Sequence, residues 1–146
     1  MHKKATIGRL FIGRFEYKDD LLASLNKFCR KNNIFAGIFS LIGAVQNAKL
    51  GYYDQKRKRY KNCVSLNKKL EIVSCSGNIS LKEKKPFVHA HIALADLRGK
   101  TFGGHLMEGT KVFAAEFFIQ ELTNIKLKRS KDSITGLPLF TPLETA

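Results

Sequence analysis

Short apolar segments separated by tight polar turns dominate this chain from residue 35 onward. The segments are rich in β-branched and aromatic residues, and Lys, Asn and Gly fill the turns between them. This pattern predicts consecutive antiparallel hairpins, because a short turn can join only strands that run in opposite directions. The predicted strands are residues 5–15, 35–45, 48–54, 60–66, 70–81, 87–96, 101–106 and 112–122. The last of them is also compatible with a helix, but its Phe, Val and Ile content in a strand-rich chain favours a strand.

One segment has helical periodicity and follows the first predicted strand. Asp19 or Asp20 is the expected N-cap, since a carboxylate there accepts backbone N–H bonds. Asn32 and Asn33 supply the expected end of the helix, because asparagine tolerates the left-handed conformation. The apolar face consists of Leu21, Leu22, Leu25, Phe28 and Cys29.

The length of 146 residues and the hydrophobic content of 44% are those of one globular domain. We therefore predict an α+β fold, in which a mostly antiparallel, curved β-sheet carries one principal helix. The domain is expected over residues 5–142, with short termini at 1–4 and 143–146. A chain of this size buries roughly two-thirds of its unfolded surface, so it needs no disulfide or structural metal to fold.

Cysteine usage and hydropathy exclude several classes of protein. The three cysteines are scattered, which predicts neither a disulfide framework nor a thiolate zinc site and favours a cytoplasmic location. They are Cys29, Cys63 and Cys75. Arg9 and Arg14 interrupt the apolar segment that a signal peptide would need. The longest apolar run, residues 34–45, is shorter than the about 20 residues that span a bilayer, so we expect no membrane partner.

The formal net charge of +14 would attract a polyanion. The basic residues lie in short runs between the strands, and one run, Lys56, Arg57, Lys58 and Arg59, occupies a single turn. Turn lysines and arginines can contact phosphates, so these four residues are the predicted nucleic-acid-binding site. The alternative is that such runs only solvate the surface, which the composition allows equally.

Three of the four histidines lie within seventeen residues. His89 and His91 share one face of a strand because side chains alternate, and His105 follows on the next strand after a short turn. The opposite face is apolar and carries Val88, Ala90, Ile92 and Leu94. Three histidines with an open fourth position are typical of catalytic zinc, so they are the predicted metal ligands and Zn²⁺ the expected cofactor. For any single histidine, a half-buried side chain that hydrogen-bonds across the sheet is the alternative.

Small and polar residues flank the histidines and form the predicted pocket. Ser74, Ser76 and Asn78 share one face of the preceding strand, while Gly103 and Gly104 directly precede the third histidine. A polar row beside the histidine row would supply hydroxyl and amide partners, and the glycines would permit close approach of another group. A solvent-facing strand surface is the alternative.

Glu108 is the candidate acid or base, since it follows the third histidine by three positions. A surface glutamate in a turn is the commoner case. The sequence has no Ser-His-Asp order, phosphate-binding glycine loop or paired-carboxylate motif, so it assigns no reaction.

Four stretches together resemble the PPC (plants and prokaryotes conserved) family, in the order that the family shows. They are Asp19–Asp54, Leu70–Ser80, Pro86–Asp96 and Phe102–Leu122. The resemblance implies a compact domain that assembles as a homotrimer, in which the counterparts of His89, His91 and His105 form a metal-associated cluster in some prokaryotic members. It also brings the family's frequent label of predicted DNA-binding protein. This sequence lacks the Arg-Gly-Arg-Pro hook that precedes the plant domains, so DNA binding would depend on its charge.

Two functions from different classes follow. The first is a homotrimeric, DNA-binding or regulatory protein with a three-histidine metal site. The alternative is a zinc-dependent enzyme or small-ligand-binding protein that uses the same histidines. A purely structural assembly module is compatible with either.

Overall fold

The computed structural model describes residues 2–141, apart from the side chains of Asn62 and Cys63. The side chain of Cys63 and the predicted C-terminal boundary at residue 142 therefore lie outside the described part of the chain, as does the terminus 143–146. The elements are β1 (Thr6–Phe15), α1 (Leu21–Lys31), β2 (Gly37–Asp54), β3 (Arg59–Leu66), β4 (Leu70–Lys82), β5 (Lys85–Ala95), β6 (Thr101–Leu106), β7 (Lys111–Thr123), β8 (Arg129–Lys131) and β9 (Pro138–Phe140).

Seven of the strands form one sheet in the order β1-β7-β2-β4-β5-β6, with β3 paired to β2. All of these pairings are antiparallel, and β2 also pairs with β6. Strands β2, β4, β5 and β6 therefore close a ring, which gives the sheet its curvature. The predicted α+β fold with one principal helix is confirmed.

Strand β2 is longer than the sequence indicates, since the two segments predicted at 35–45 and 48–54 are one strand of 18 residues. Its first half pairs with β4 and β7, and its second half pairs with β3 and β6. The register shifts beside Gly43, whose φ of 138° is rarely adopted by residues with a side chain. A Cβ there would also collide with the carbonyl oxygen of Ala114. This β-bulge bends the strand without ending it.

Helix α1 begins and ends at the residues expected from the sequence. The Asp20 side chain accepts a hydrogen bond from the Ala23 N–H at 3.1 Å, and Asn33 adopts a positive φ of 53° after the C-cap Asn32. Leu21, Leu25 and Cys29 are buried among the inward-facing side chains of the sheet. Burial raises the pKa of the Cys29 thiol to about 12, so it offers no thiolate at neutral pH.

Strand β4 differs from the alternation expected of it. The register shift between Ile72 and Ser74 turns Val73 to the outer face, whereas Cys75 and Ile79 remain buried. One extra residue at this bulge reverses the alternation locally, so Val73 and Cys75 do not share a face as alternate residues of a regular strand would.

Residues 124–141 contain a hairpin that the sequence analysis did not predict. Strands β8 and β9 pair with each other over three residues and lie beside β4, where the Leu81 N–H donates to the Leu127 carbonyl at 2.7 Å. Neither strand has the length or alternation that identifies a strand from sequence. No helix within residues 2–141 has the length and hydropathy of a membrane-spanning segment.

Candidate metal centre and its cavity

The pairing of three strands brings the three histidines together. His91 is directly opposite His105 in the β5–β6 register. On the other side of β5, Ser76 is opposite His91 and Asn78 is opposite His89. The inward positions Val88, Ala90 and Ile92 are buried, so the histidines project from the outer face of the sheet.

The histidine rings form a compact triangle. Their centroids are 5.0 Å apart for His89 and His105, 5.2 Å for His89 and His91, and 5.5 Å for His91 and His105. One nitrogen of each ring lies within 4.8 Å of the other two, and small side-chain rotations would bring these atoms to one ion with bonds near 2.0–2.1 Å. Nε2 of His89 and Nδ1 of His105 are buried and have no hydrogen-bond partner among the described residues. Buried polar atoms are normally satisfied, so these nitrogens fit a metal ion.

Burial keeps two of the imidazoles neutral. Desolvation, followed by the charges of His105, Arg129 and His91, lowers the pKa of His89 from 6.5 to about 4. Desolvation and the neighbouring His91 also lower the pKa of His105. A metal ion binds the neutral form of imidazole, so these two residues need lose no proton to bind one at neutral pH. The three histidines form a group that can hold a metal ion.

A cavity of about 460 Å³ opens onto the histidines. Its floor comes from β5 and β6, one side from β2 and β3, and another wall from the β8–β9 hairpin. The lining residues are Gly51, Tyr52, Tyr53, Gln55, Tyr60, Lys82, Phe87, His89, His91, Gly104, His105, Arg129, Leu137, Pro138 and Leu139. This volume is within the range of about 300–1,000 Å³ that holds small-molecule ligands.

The predicted pocket residues take different positions around this cavity. Gly104 lines it, and Asn78 lies behind the wall, where its Oδ1 accepts a hydrogen bond from Arg129 Nη2 at 2.6 Å. Ser74, Ser76 and Gly103 are exposed and lie outside the described lining.

Glu108, the candidate acid or base, is exposed in the turn between β6 and β7. It belongs neither to the histidine cluster nor to the described lining of the cavity.

The basic turn of Lys56, Arg57, Lys58 and Arg59 joins β2 to β3, and all four residues are exposed. Asp54 forms ion pairs with Arg57 at 3.3 Å and with Lys61 at 3.0 Å, so part of the local positive charge is compensated. Gln55, next to this turn, lines the cavity. The basic turn therefore lies beside the cavity mouth.

Sequence reasoning missed Arg129 and the aromatic walls of the cavity. Arg129 belongs to the run KLKRSK, which has the composition of a solvated turn and carries no signal of burial. The Tyr60 ring lies 4.9 Å from the His105 ring, and Phe87 is two positions before His89 on the same strand face. The one sequence signal for these residues was the position of Phe87 two residues before His89, which places both side chains on the same face of a strand.

Comparisons with known proteins agree with this geometry. The family model of the Plants and Prokaryotes Conserved domain matches residues 2–123. This domain is abbreviated PCC or PPC. Two curated relatives, each named bifunctional protein GlmU and each from a Synechococcus strain, are 32% identical over 80% and 88% of this chain. The chain spans 18% of the length of these relatives.

Solved structures match nearly the whole chain. A metal-containing protein from Archaeoglobus fulgidus is 40% identical with a TM-score of 0.90, covering 95% of this chain and 97% of its own. A plant- and prokaryote-conserved (PPC) protein from Pyrococcus horikoshii is 38% identical with a TM-score of 0.91, covering 99% of both chains. A candidate DNA-binding protein from Ralstonia eutropha is 25% identical with a TM-score of 0.78, covering 92% of this chain and 90% of its own.

Acidification is expected to destabilise the metal-free protein. The pKa of His89 is about 4 in the folded chain and has the ordinary value of 6.5 in the unfolded chain. In the pH window between these two values, the unfolded chain therefore binds a proton that the folded chain does not. Stability therefore falls as the pH decreases through the window. Urea unfolding from about pH 7 to about pH 5 measures the loss, above the range where carboxylates contribute most. His89→Gln should flatten it, and the same substitution at the exposed His2 should not; equal profiles for all three proteins would contradict the assignment.

Proposed function

The chain belongs to the Plants and Prokaryotes Conserved domain family, and on that premise we propose that it is a homotrimeric metalloprotein that presents a zinc ion to small ligands. His89, His91 and His105 hold the ion. The observation that carries the proposal is the pair of buried, unpartnered nitrogens in the histidine cluster, at the floor of a cavity of ligand size. The metal-containing relative from Archaeoglobus fulgidus supports it.

Zinc is proposed because the group found among the described residues consists of three imidazoles, with no thiolate or carboxylate in it, and such a group suits a zinc site with an open position. Zinc bound there would act as a Lewis acid or lower the pKa of a bound water. The residues of the chain lower the pKa of His89 and His105, orient the three imidazoles by strand pairing and wall off the site. Glu108 remains the proposed acid or base, and it would need a ligand or a neighbouring chain to bring it to the ion. Ser74, Ser76, Asn78, Gly103 and Gly104 remain the proposed surroundings of the pocket.

The double substitution His89→Ala with His91→Ala should abolish stoichiometric zinc binding and leave the fold intact. Removing a residue that only hydrogen-bonds to a metal ligand lowers the metal affinity by about 10–100-fold. Removing two of the ligands themselves should therefore lower the zinc affinity further. Metal analysis of untagged protein, with circular dichroism before and after chelation, measures both effects. His2→Ala is the matched control, since His2 is exposed and outside the cluster. Retention of one zinc per chain by the double variant would contradict the assignment, and unfolding on chelation would make the metal structural.

The homotrimer is proposed from an apolar area on the outer face of the sheet. Ile12, Phe118 and Ser40 are aligned across β1, β7 and β2, and this register line continues through Ser76 to His91. Large side chains around it are exposed, among them Ile38, Ile42 and Phe113. Apolar patches of this kind usually mark an association surface, and the family resemblance supplies three as the number of chains.

Phe118→Glu should dissociate the trimer, because it introduces a charge into the centre of the apolar area, where Phe118 is 51% exposed. Light scattering during size-exclusion chromatography should give three chain masses for the wild type and one for the variant. Leu97→Glu is the control, since Leu97 is 99% exposed on the turn between β5 and β6. A wild type that elutes as a monomer over a wide concentration range would rule out the proposal.

DNA binding is the second candidate function. It is favoured by the net charge of +14, since the chain has 26 basic side chains and only 12 acidic ones, and by the candidate DNA-binding protein among the similar structures. The basic turn at residues 56–59 is the proposed contact surface, and a trimer would present three copies.

Neutralising Lys56, Arg57 and Lys58 to glutamine should weaken binding to all DNA sequences about equally. The salt dependence should flatten by about 0.9 for each duplex phosphate that the variant no longer neutralises, because lysine and arginine bound to phosphate release counterions. Fluorescence anisotropy over a salt series measures this. The matched control neutralises Lys27, Arg30 and Lys31 on α1, which are also exposed. A loss confined to one DNA sequence, or equal losses in both triple variants, would contradict the assignment.

A further inference from the structure

The β8–β9 hairpin lies beyond residues 2–123, the part matched by the family, yet it builds one wall of the cavity. We propose that this wall makes the cavity a binding site for a small organic oxyanion, a carboxylate or phosphate attached to a flat apolar group, and that Arg129 binds the oxyanion. This deepens the small-ligand function proposed above and rests on it, although it does not depend on which metal occupies the histidines.

Arg129 is held in a fixed orientation. Its Nε donates to Ser80 Oγ at 2.7 Å, its Nη2 to Asn78 Oδ1 at 2.6 Å and its Nη1 to the Pro138 carbonyl at 2.6 Å. A guanidinium has five N–H donors, so these three bonds leave two for a ligand. Planar, pre-oriented donors are what carboxylate and phosphate recognition requires.

The positive charge of Arg129 is not compensated. The side chain is partly buried, and desolvation lowers its pKa. Within residues 2–141, however, no carboxylate forms an ion pair with it. Partly buried cations are usually paired, because desolvation without a counter-charge costs free energy. An oxyanion in the cavity would supply the missing charge.

The remaining lining is cationic, aromatic or neutral. Among the described lining residues, Lys82 and Arg129 are basic and none is acidic. The Arg129 guanidinium carbon lies 5.7 Å from the centre of the Phe87 ring in the lining, and 4.5 Å from that of Phe140, which is outside the described lining. Also in the lining, the Tyr60 ring lies against His105 and makes an edge contact with Tyr53. The lining therefore suits a ligand with an anionic group and a flat apolar part.

The hairpin is fastened in place without a ligand. Tyr53 Oη donates to the Thr135 carbonyl at 2.6 Å, which ties the connecting loop to β2. Inside the loop, the Thr135 N–H and hydroxyl both donate to Asp132 Oδ2 at 2.7 Å. A wall that is already ordered loses little conformational entropy when a ligand binds.

Titrations of the wild-type protein with phenylphosphonate, benzoate and the neutral benzamide test the proposal. In nuclear magnetic resonance spectra, the Arg129 Nε–H signal should shift when either anion is added, in both the metal-free and the zinc-loaded protein. The affinity for benzamide should be at least about 10-fold weaker. The tighter of the two anions identifies phosphate or carboxylate as the natural head group. Absence of a shift with both anions in both forms, or equal affinity for benzamide, would overturn the proposal. A shift caused only by short duplex DNA would also overturn it.

Substitutions give a second, independent measurement by calorimetry. Arg129→Gln should weaken binding of the better anion by about 10- to 100-fold, and Arg129→Lys should give a smaller loss because it keeps the charge without the fork. Arg98→Gln is the control of equal charge change on an exposed turn. If the Gln variant fails to fold, the wild-type titration alone decides. Anion binding without zinc binding would refute the metal site and leave this proposal standing, whereas zinc binding without anion binding would do the reverse.

Discussion

The bend in strand β2 at Gly43 is the constraint on which the rest of the structure depends. β2 lies between β4 and β7 as far as Val45, just past the bend, and from Ala48 onward the same strand pairs with β3 and then β6. Only a strand that changes direction can lie in both places, and the positive φ of Gly43 together with the close carbonyl of Ala114 makes glycine necessary there. The pairing of β2 with β6 closes the ring of strands. The ring in turn places His105 beside the histidines of β5 and places Gly51 at the cavity edge.

The cavity combines two electrostatic features, which are two histidines kept neutral by burial and an arginine whose charge is partly desolvated. Burial lowers the pKa of His89 and His105, and the nearby Arg129 strengthens that effect on His89. The same guanidinium is itself a desolvated charge without a carboxylate partner in the described chain. A metal ion would add further positive charge. Hydrogen bonds to Ser80, Asn78 and Pro138 hold the arginine in position, but they satisfy three of its five donors and not its charge. An arrangement of this kind favours an anionic ligand over a neutral one of the same shape.

The sequence predicted the features that depend on local chemistry. The alternation in β5 placed His89 and His91 on one face, and Asp20 and Asn33 marked the ends of α1, because these patterns depend on a few neighbouring residues. The features it did not predict depend on distant ones. The continuity of β2 requires partners about 70 residues away or more, such as Ala115 opposite Gly43, and the outward position of Val73 depends on a bulge against β5. Arg129 had the composition of a surface turn, and only the fold shows that the hairpin covers β4. Whether Glu108 acts at the site stays a prediction.

The pairing of β1 with β7 has a consequence for synthesis on the ribosome. Thr6 lies opposite Thr123, so β1 and one edge of β2 have no partner in the sheet until β7 has emerged. During that interval the nascent chain carries unpaired strand edges and apolar side chains from β1 and β2, such as Ile12 and Phe39, which chaperones recognise. The cavity lining is also made in order, from Gly51 to Leu139, so the wall that carries Arg129 is its last part to be synthesised.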